Sequence, residues 1–191
     1  MLFPPALGIP LFFSILFPAV ERSLIMRVRM KWVNHKITTF SLVFLVTHDF
    51  LSSLAAAGGS VLPDALEGRD SPTWKREHRK VSHWLLGYVS VAFVLWAVIV
   101  LKTRSFLPVL PGFQFLFSPG ASGSGGFTLF FLCAAFYLTV GSILHILEDS
   151  LTGSVPVMHP RKRTFSVRIM KTGDPLEYIL SCGLLFAALS R

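Results

Sequence analysis

Charge is what this 191-residue chain has least of: Asp, Glu, Lys and Arg together make up 15% of it, against about 25% in an ordinary soluble domain. Hydrophobic residues make up 52%, and the mean hydropathy is +0.62. That is the composition of a membrane protein. Cysteine is nearly absent too. Cys133 and Cys182 each sit inside an apolar run with no CxxC neighbour, which argues against a disulfide framework and against thiolate zinc sites. Both read as small buried hydrophobes, so any metal here must use nitrogen and oxygen ligands. No internal repeat is visible, which weighs against a transporter built from repeats. Acids are scarce, 10 against 18 Lys and Arg, for a net charge of +8. The basic residues do not form the aromatic-laced face that a nucleic-acid partner requires. They cluster in short loops between apolar runs, as the positive-inside rule describes. No nucleic-acid partner is expected; the bilayer is the expected surrounding.

What is present is a series of apolar runs. Residues 3–20 are apolar but broken by Pro4, Pro5, Pro10 and Pro18. Residues 1–29 therefore read as an anchor or signal-like segment, or as sequence ahead of a start at Met26 or Met30. Residues 30–191 read as a single membrane-embedded domain. Residues 37–57 are apolar with His48-Asp49 midway, 84–101 and 127–147 are the two clear spanning helices, and 176–190 is a final run short for a span. The stretch 105–126 has no charge and reads as an interfacial loop.

Segments 58–82 and 148–174 are charge-rich and flank the two clear helices on one side, which the rule assigns to the cytoplasm. Residues 21–36 are equally basic. A simple span over 37–57 would put them on the opposite side. A helical hairpin turning between His48 and Gly59 returns the chain to the same side, and irregular backbone at membrane depth is acceptable where protein covers it. The expected fold is all-α and multi-pass, with about four spanning or re-entrant helices and a hairpin near the N-terminus.

The hairpin would bring His35 and Asp64 to the same face as His78, His83, His145, Glu148 and Asp149. His145 and Asp149, four apart, share one helix face. Ionisable groups at the end of a spanning helix are expensive unless paired, hydrated or bound to a cation. Imidazole and carboxylate without thiolate suit zinc, and also manganese or iron. Plainer readings stand beside this one. His145 and Asp149 form a helix-end hydrogen bond or a ligand pair; residues 77–83 form a solvated basic loop; Pro63-Asp64 marks a turn. His48-Asp49 is a polar break in the hairpin, or a proton or ion path if both face a central cavity.

Taken in order, His35, Leu62-Pro63-Asp64, His78-Arg79-Lys80-Val81-Ser82-His83, then Gly141, His145, Asp149, Thr152 and Pro160, and finally Gly173 and Glu177, resemble the pattern of the YdjM-like family of inner-membrane metal-dependent hydrolases. The resemblance covers residues 35–180. It implies a multi-pass protein of the cell inner membrane, with a cytoplasm-facing divalent-metal site on His35, Asp64, His83, His145 and Asp149, and His78 beside them. Such a site would direct activated water at an ester or phosphoester, with Glu148 or Glu67 as general base and Arg79 holding an anionic group, and its location in the membrane suggests a lipid-linked or amphipathic substrate. The chain departs from the family at Leu66, where the pattern has a second acid, although Glu67 is adjacent. Lys80 and Trp84 depart as well. The loss of an acid at 66 favours an alternative: a non-catalytic scaffold or accessory protein with a degenerate site.

Overall fold

A computed structural model of the chain describes residues 33–67, 81–108, 110, 124–162, 165–169 and 174–190. The segment 1–29 lies outside these residues. The described architecture is all-helical; the one extended pairing is an isolated antiparallel bridge between Val155 and Phe165.

Helix α1 covers residues 33–47. It ends where His48 takes a left-handed conformation, φ 51°, with its N–H on Phe44 O at 2.8 Å. Asp49 then starts the next helix: its carboxylate accepts the Ser52 N–H at 2.6 Å, supplying one of the partners a helix N-terminus lacks. Helix α2 follows at once, Phe50–Gly59. The expected hairpin is therefore present, with its turn confined to His48 and Asp49. Over their described residues, 33–47 and Phe50–Gly59, neither arm reaches the ~20 residues of a full span. His48 is exposed and Asp49 is occupied as a cap, so the pair does not line a central cavity. The ion-path reading of these two residues is corrected.

A tight turn leads to α3, Leu62–Glu67. After a 3-10 turn, Val81–His83, α4 runs Leu85–Thr103 and stops at Arg104, φ 62°. Helix α5, Ser124–Thr152, has 29 residues. It begins inside the stretch expected to be loop to 126, with Ser124 to Gly126 in its first turn, and extends past the expected end at 147, because Glu148 to Thr152 contain neither proline nor glycine. Helix α6 is Pro175–Leu189, with proline in the first turn, where a missing N–H costs nothing.

Helices α4 and α5 are long and apolar enough to cross a membrane. Most of α4 is not covered by protein: Val89, Val91, Phe93, Val94 and Leu101 are exposed. An apolar surface on all sides is what a lipid-facing helix presents.

The tightest packing joins α2 to α5. Small residues Ser52, Ser53, Ala56, Ala57 and Gly59 form the buried stripe of α2. At the crossing the two backbones touch. A Cβ on Gly59 would lie 2.0 Å from Leu138 O, and one on Gly141 would lie 1.9 Å from Ala56 O. Ser142 Oγ donates to Gly59 O at 2.9 Å. Small residues that let backbones approach are the usual means of helix association where lipid removes the hydrophobic drive. A second contact lies toward the opposite end, where Ile99, Leu110 and Cys133 cluster and Ser52 Oγ accepts the Leu110 N–H at 3.0 Å.

These crossings order the helix ends. The start of α1, the α2–α3 turn, the start of α4, the end of α5 and the start of α6 converge. Asn34 donates to Glu177 at 3.0 Å and Thr38 pairs with Ser181 at 2.9 Å, which ties α6 to α1 at that same end.

Candidate metal centre

The Gly141 crossing fixes α5 against α2, and one turn further along α5 comes His145. Residues 145, 148 and 149 then project from adjacent positions on one side of the helix. Across from them, α3 offers Asp64 and Glu67, three residues apart and hence on one face. The 3-10 turn before α4 delivers His83, which is fully buried.

The side-chain tips of four residues come together. His83 Nε2 lies 3.3 Å from His145 Nε2, 3.5 Å from Asp64 Oδ1 and 3.4 Å from Asp149 Oδ2. His145 Nε2 lies 3.5 Å from the same Asp64 oxygen and 3.8 Å from Asp149 Oδ2. Four donors held at about 2.0–2.1 Å around a tetrahedral ion stand about 3.3 Å apart along each edge. The four separations of 3.3 to 3.5 Å are near that length, and the fifth, His145 to Asp149, is longer at 3.8 Å. Asp64, His83 and His145 form a group whose ligand atoms all lie within 4.8 Å of one another, and Asp149 stands beside that group. The donor set is imidazole and carboxylate, as zinc and its neighbours accept. Cys133 is buried in the contact between α4 and α5 toward the opposite end, and Cys182 is exposed on α6.

Supporting groups surround the four. Glu67 Oε1 lies 3.0 Å from His83 Nδ1, and Ser82 Oγ donates to Glu67 while standing 2.9 Å from the same ring nitrogen. A carboxylate behind an imidazole fixes the ring so that its other nitrogen faces the cluster. His35 Nδ1 hydrogen-bonds Glu148, whose other oxygen accepts from Thr39 Oγ1 at 3.4 Å. The His35 ring packs against that of His145 at a centroid distance of 4.5 Å, inclined to it by 58°. His145 is 1% exposed, and its Nδ1 has no hydrogen-bond partner among the described residues.

Four carboxylates thus face three imidazoles in a chain of net charge +8. The effect on the groups outside the spanning helices is large. Burial alone would lower the pKa of His83, but hydrogen bonds with Asp149, Asp64 and Glu67 outweigh it and hold the ring up to about 10. Burial would raise Asp64, but its hydrogen bonds with His145 and His83 hold the carboxyl well below the usual carboxylate range. The cluster is electronegative and retains positive charge.

A cavity opens beside the cluster between α1, α5 and α6. His35, Glu148 and Asp149 form its inner wall, and Leu151, Leu180 and Ser181 face them. Asp149 belongs to both the cluster and the cavity, so a molecule held in the cavity reaches the cluster through it.

The structure thus gathers Asp64, His83, His145 and Asp149 at one point, with Glu67, Glu148 and His35 around it. His35 contacts Glu148 through Nδ1 and lies beside the four-atom cluster rather than in it. His78 and Arg79 lie outside the described residues. Leu66 is 70% exposed, one position round the helix from the inward Asp64 and Glu67. Sequence reasoning passed over Thr39 and Ser82. Thr39 is one turn after His35 on the same helix, a spacing that already pointed to it; Ser82 carried no signal beyond its place next to His83.

The YdjM inner membrane protein family matches residues 30–190 of the chain. No curated protein and no solved structure matches it.

Proposed function

The chain belongs to the YdjM inner membrane protein family, and from that premise we propose that it is a membrane-embedded hydrolase whose divalent-metal site is built from Asp64, His83, His145 and Asp149. The observation that carries this reading is the Asp64, His83 and His145 group, whose tips lie 3.3 to 3.5 Å apart, with Asp149 3.4 Å from His83 and 3.8 Å from His145. Zinc fits the donor set best, with manganese or iron as alternatives. A bound ion would supply Lewis acidity and a water acidified toward neutral pH.

The chain's own residues would do the rest. Glu67 and Ser82 hold the His83 ring in one orientation. Glu148 lies at the cavity wall and is kept in place by His35 and Thr39, where it accepts the proton of the attacking water. His35, hydrogen-bonded to that carboxylate, stabilises the changing charge. Arg79, in the segment before His83, binds an anionic group of the substrate.

Location supports the substrate class. Helix α5 has 29 residues, a rise of about 43 Å, whereas a bilayer core is about 30 Å thick. The surplus at its C-terminal end carries the cluster to the level of the lipid headgroups. Basic segments beside that end put it on the cytoplasmic face, in a multi-pass arrangement with the α1–α2 hairpin re-entrant. A lipid-linked ester or phosphoester is the substrate such a site would meet.

The alternative, a non-catalytic scaffold with a degenerate site, drew its support from Leu66. That residue points outward while Glu67 reaches His83, so the missing acid leaves no gap at the cluster. The test is hydrolysis of a panel of lipid-linked esters and phosphoesters by the purified protein. Turnover that stops with chelator and returns with zinc or manganese supports an enzyme. Full metal occupancy with no turnover, on this panel and with wild-type residues in place, would favour the scaffold.

A further inference from the structure

The described residues between α5 and α6, 153–162 and 165–169, take no part in the cluster, yet they are attached to the start of α4 and the end of α5. Val155 and Phe165 exchange backbone hydrogen bonds at 2.8 and 3.2 Å, closing a hairpin. Pro156 O and Val157 O accept the first free N–H groups of α4, from Leu85 and Leu86, at 3.0 and 3.2 Å. Met158 O accepts the Trp84 indole N–H at 3.3 Å. On the return strand, Val167 N–H reaches Ser150 O at 2.9 Å. The hairpin therefore sits against the start of α4 and the end of α5, the two helices long and apolar enough to cross a membrane.

Its exposed side chains are of two kinds. Met158 is 71% and Ile169 63% exposed, and Phe165 and Val167 are nearly half exposed. Between them Arg161, Lys162 and Arg168 are exposed as well, together with His159. The sequence has no acid between Asp149 and Asp174. In water, such an apolar set would form an unfavourable patch. In the acyl interior, the three cations would be prohibitive. Only the interface accommodates both, with apolar side chains at the acyl boundary and cations among the phosphates. Trp84, directly beneath, is a residue type enriched at that level.

The geometry points to this hairpin as a docking element for anionic phospholipid headgroups, with Arg161, Lys162 and Arg168 contacting lipid phosphates and Met158 and Ile169 inserted beside them. Anionic lipid is the occupant because the described charge is of one sign, and each basic residue at an anionic surface strengthens binding by about fivefold. Docking here also braces the start of α4, and so His83, at the headgroup level. The inference does not depend on whether the cluster is catalytic.

The test is hydrogen–deuterium exchange of the full chain in nanodiscs of phosphatidylcholine alone and of phosphatidylcholine with about a third phosphatidylglycerol, a fraction large enough to set up the surface potential in question. Exchange over residues 157–162 is expected to slow at least fivefold in the anionic discs. That slowing should vanish at high salt, as an exposed charge contact requires, and in R161Q/K162Q/R168Q. The M158S/I169S variant should exchange faster in both discs. Protection of α4 and α5 reports that each variant is folded. Equal exchange in the two discs would overturn the proposal, as would slowing that survives the triple substitution. Slowing reproduced in phosphatidylcholine discs by inorganic phosphate or a soluble oligonucleotide would overturn it too, since the partner would then be a soluble anion.

Discussion

Replacing Gly141 by alanine adds one methyl group at the point where α5 and α2 touch. The new Cβ would lie 1.9 Å from Ala56 O, 2.7 Å from Ala56 C and 2.9 Å from Ser60 N. A carbon–oxygen contact settles near 3.3 Å or beyond, so the helices must part by roughly 1.4 Å. No side chain can give way, because every obstructing atom is backbone. Overpacking of this kind costs about 1–3 kcal/mol even where side chains can adjust, and the upper end is expected here. The consequence reaches the cluster. His145 follows Gly141 by one turn, and Asp64 follows Ala56 through the α2–α3 turn, so a parting of that size would stretch the 3.5 Å separation of His145 Nε2 from Asp64 Oδ1 toward 5 Å, beyond the reach of one ion. Thermal unfolding in detergent and metal content after purification read the two effects. Gly183→Ala is the control: it is also helical, but a Cβ there meets nothing within 4 Å. It should be neutral, or stabilising by up to about 1 kcal/mol from helix propensity. A Gly141→Ala protein as stable and as metal-rich as Gly183→Ala would refute the reasoning that this crossing assembles the site.

Three further outcomes follow from the same geometry. Glu67→Gln removes the carboxylate behind His83 and should weaken metal affinity 10- to 100-fold in a competition titration against a chromophoric chelator, while Leu66→Ala, at an outward position, should leave it unchanged. Glu148→Gln should retain metal yet lose about 10²- to 10⁴-fold in turnover; loss of metal instead would move Glu148 into the ligand set. The third concerns pH. In the metal-free protein the His83 pKa is raised from 6.5 to about 10, so its stabilising contribution is complete below pH 6.5 and is lost as pH rises through 10. The chelated protein should unfold at progressively lower temperature between pH 7 and 10. Metal binding at pH 7 should release a proton from this ring, measurable by calorimetry in buffers of different ionisation enthalpy. No dependence on buffer would contradict the place given to His83.

Much of the architecture was legible because membrane constraints are severe. The two long apolar runs could be little else than helices, and the equally basic segments 21–36 and 58–82 on either side of residues 37–57 favoured a hairpin or broken helix over a simple span. The sequence placed the turn only between His48 and Gly59. Its location at His48-Asp49 follows from cap chemistry, an Asp three residues ahead of an N–H it can accept, which competing small residues in 52–59 obscured. In the cluster, order along the chain grouped Asp64, His83, His145 and Asp149, but could not separate them from His35, which pairs with Glu148. That distinction depends on which ring nitrogen faces inward, a matter of tertiary geometry. Glu67 was legible as a candidate general base and as the acid next to Leu66, but not as the partner of His83 Nδ1; the single turn of α3, which directs Glu67 inward and Leu66 outward, decides that. Gly141 looked like part of a motif around His145, and its physical role became visible only with the 1.9 Å approach to Ala56 O.

The central claim is that Asp64, His83, His145 and Asp149 hold one divalent ion. X-ray absorption on the purified wild-type protein, quantified for metal per chain, tests it most directly. The account predicts about one ion per chain with a shell of nitrogen and oxygen donors at about 2.0–2.2 Å, no sulfur, and loss of the signal in Asp64→Ala and His145→Ala. A protein without stoichiometric metal, a sulfur ligand in the shell, or a signal that survives both substitutions would contradict it.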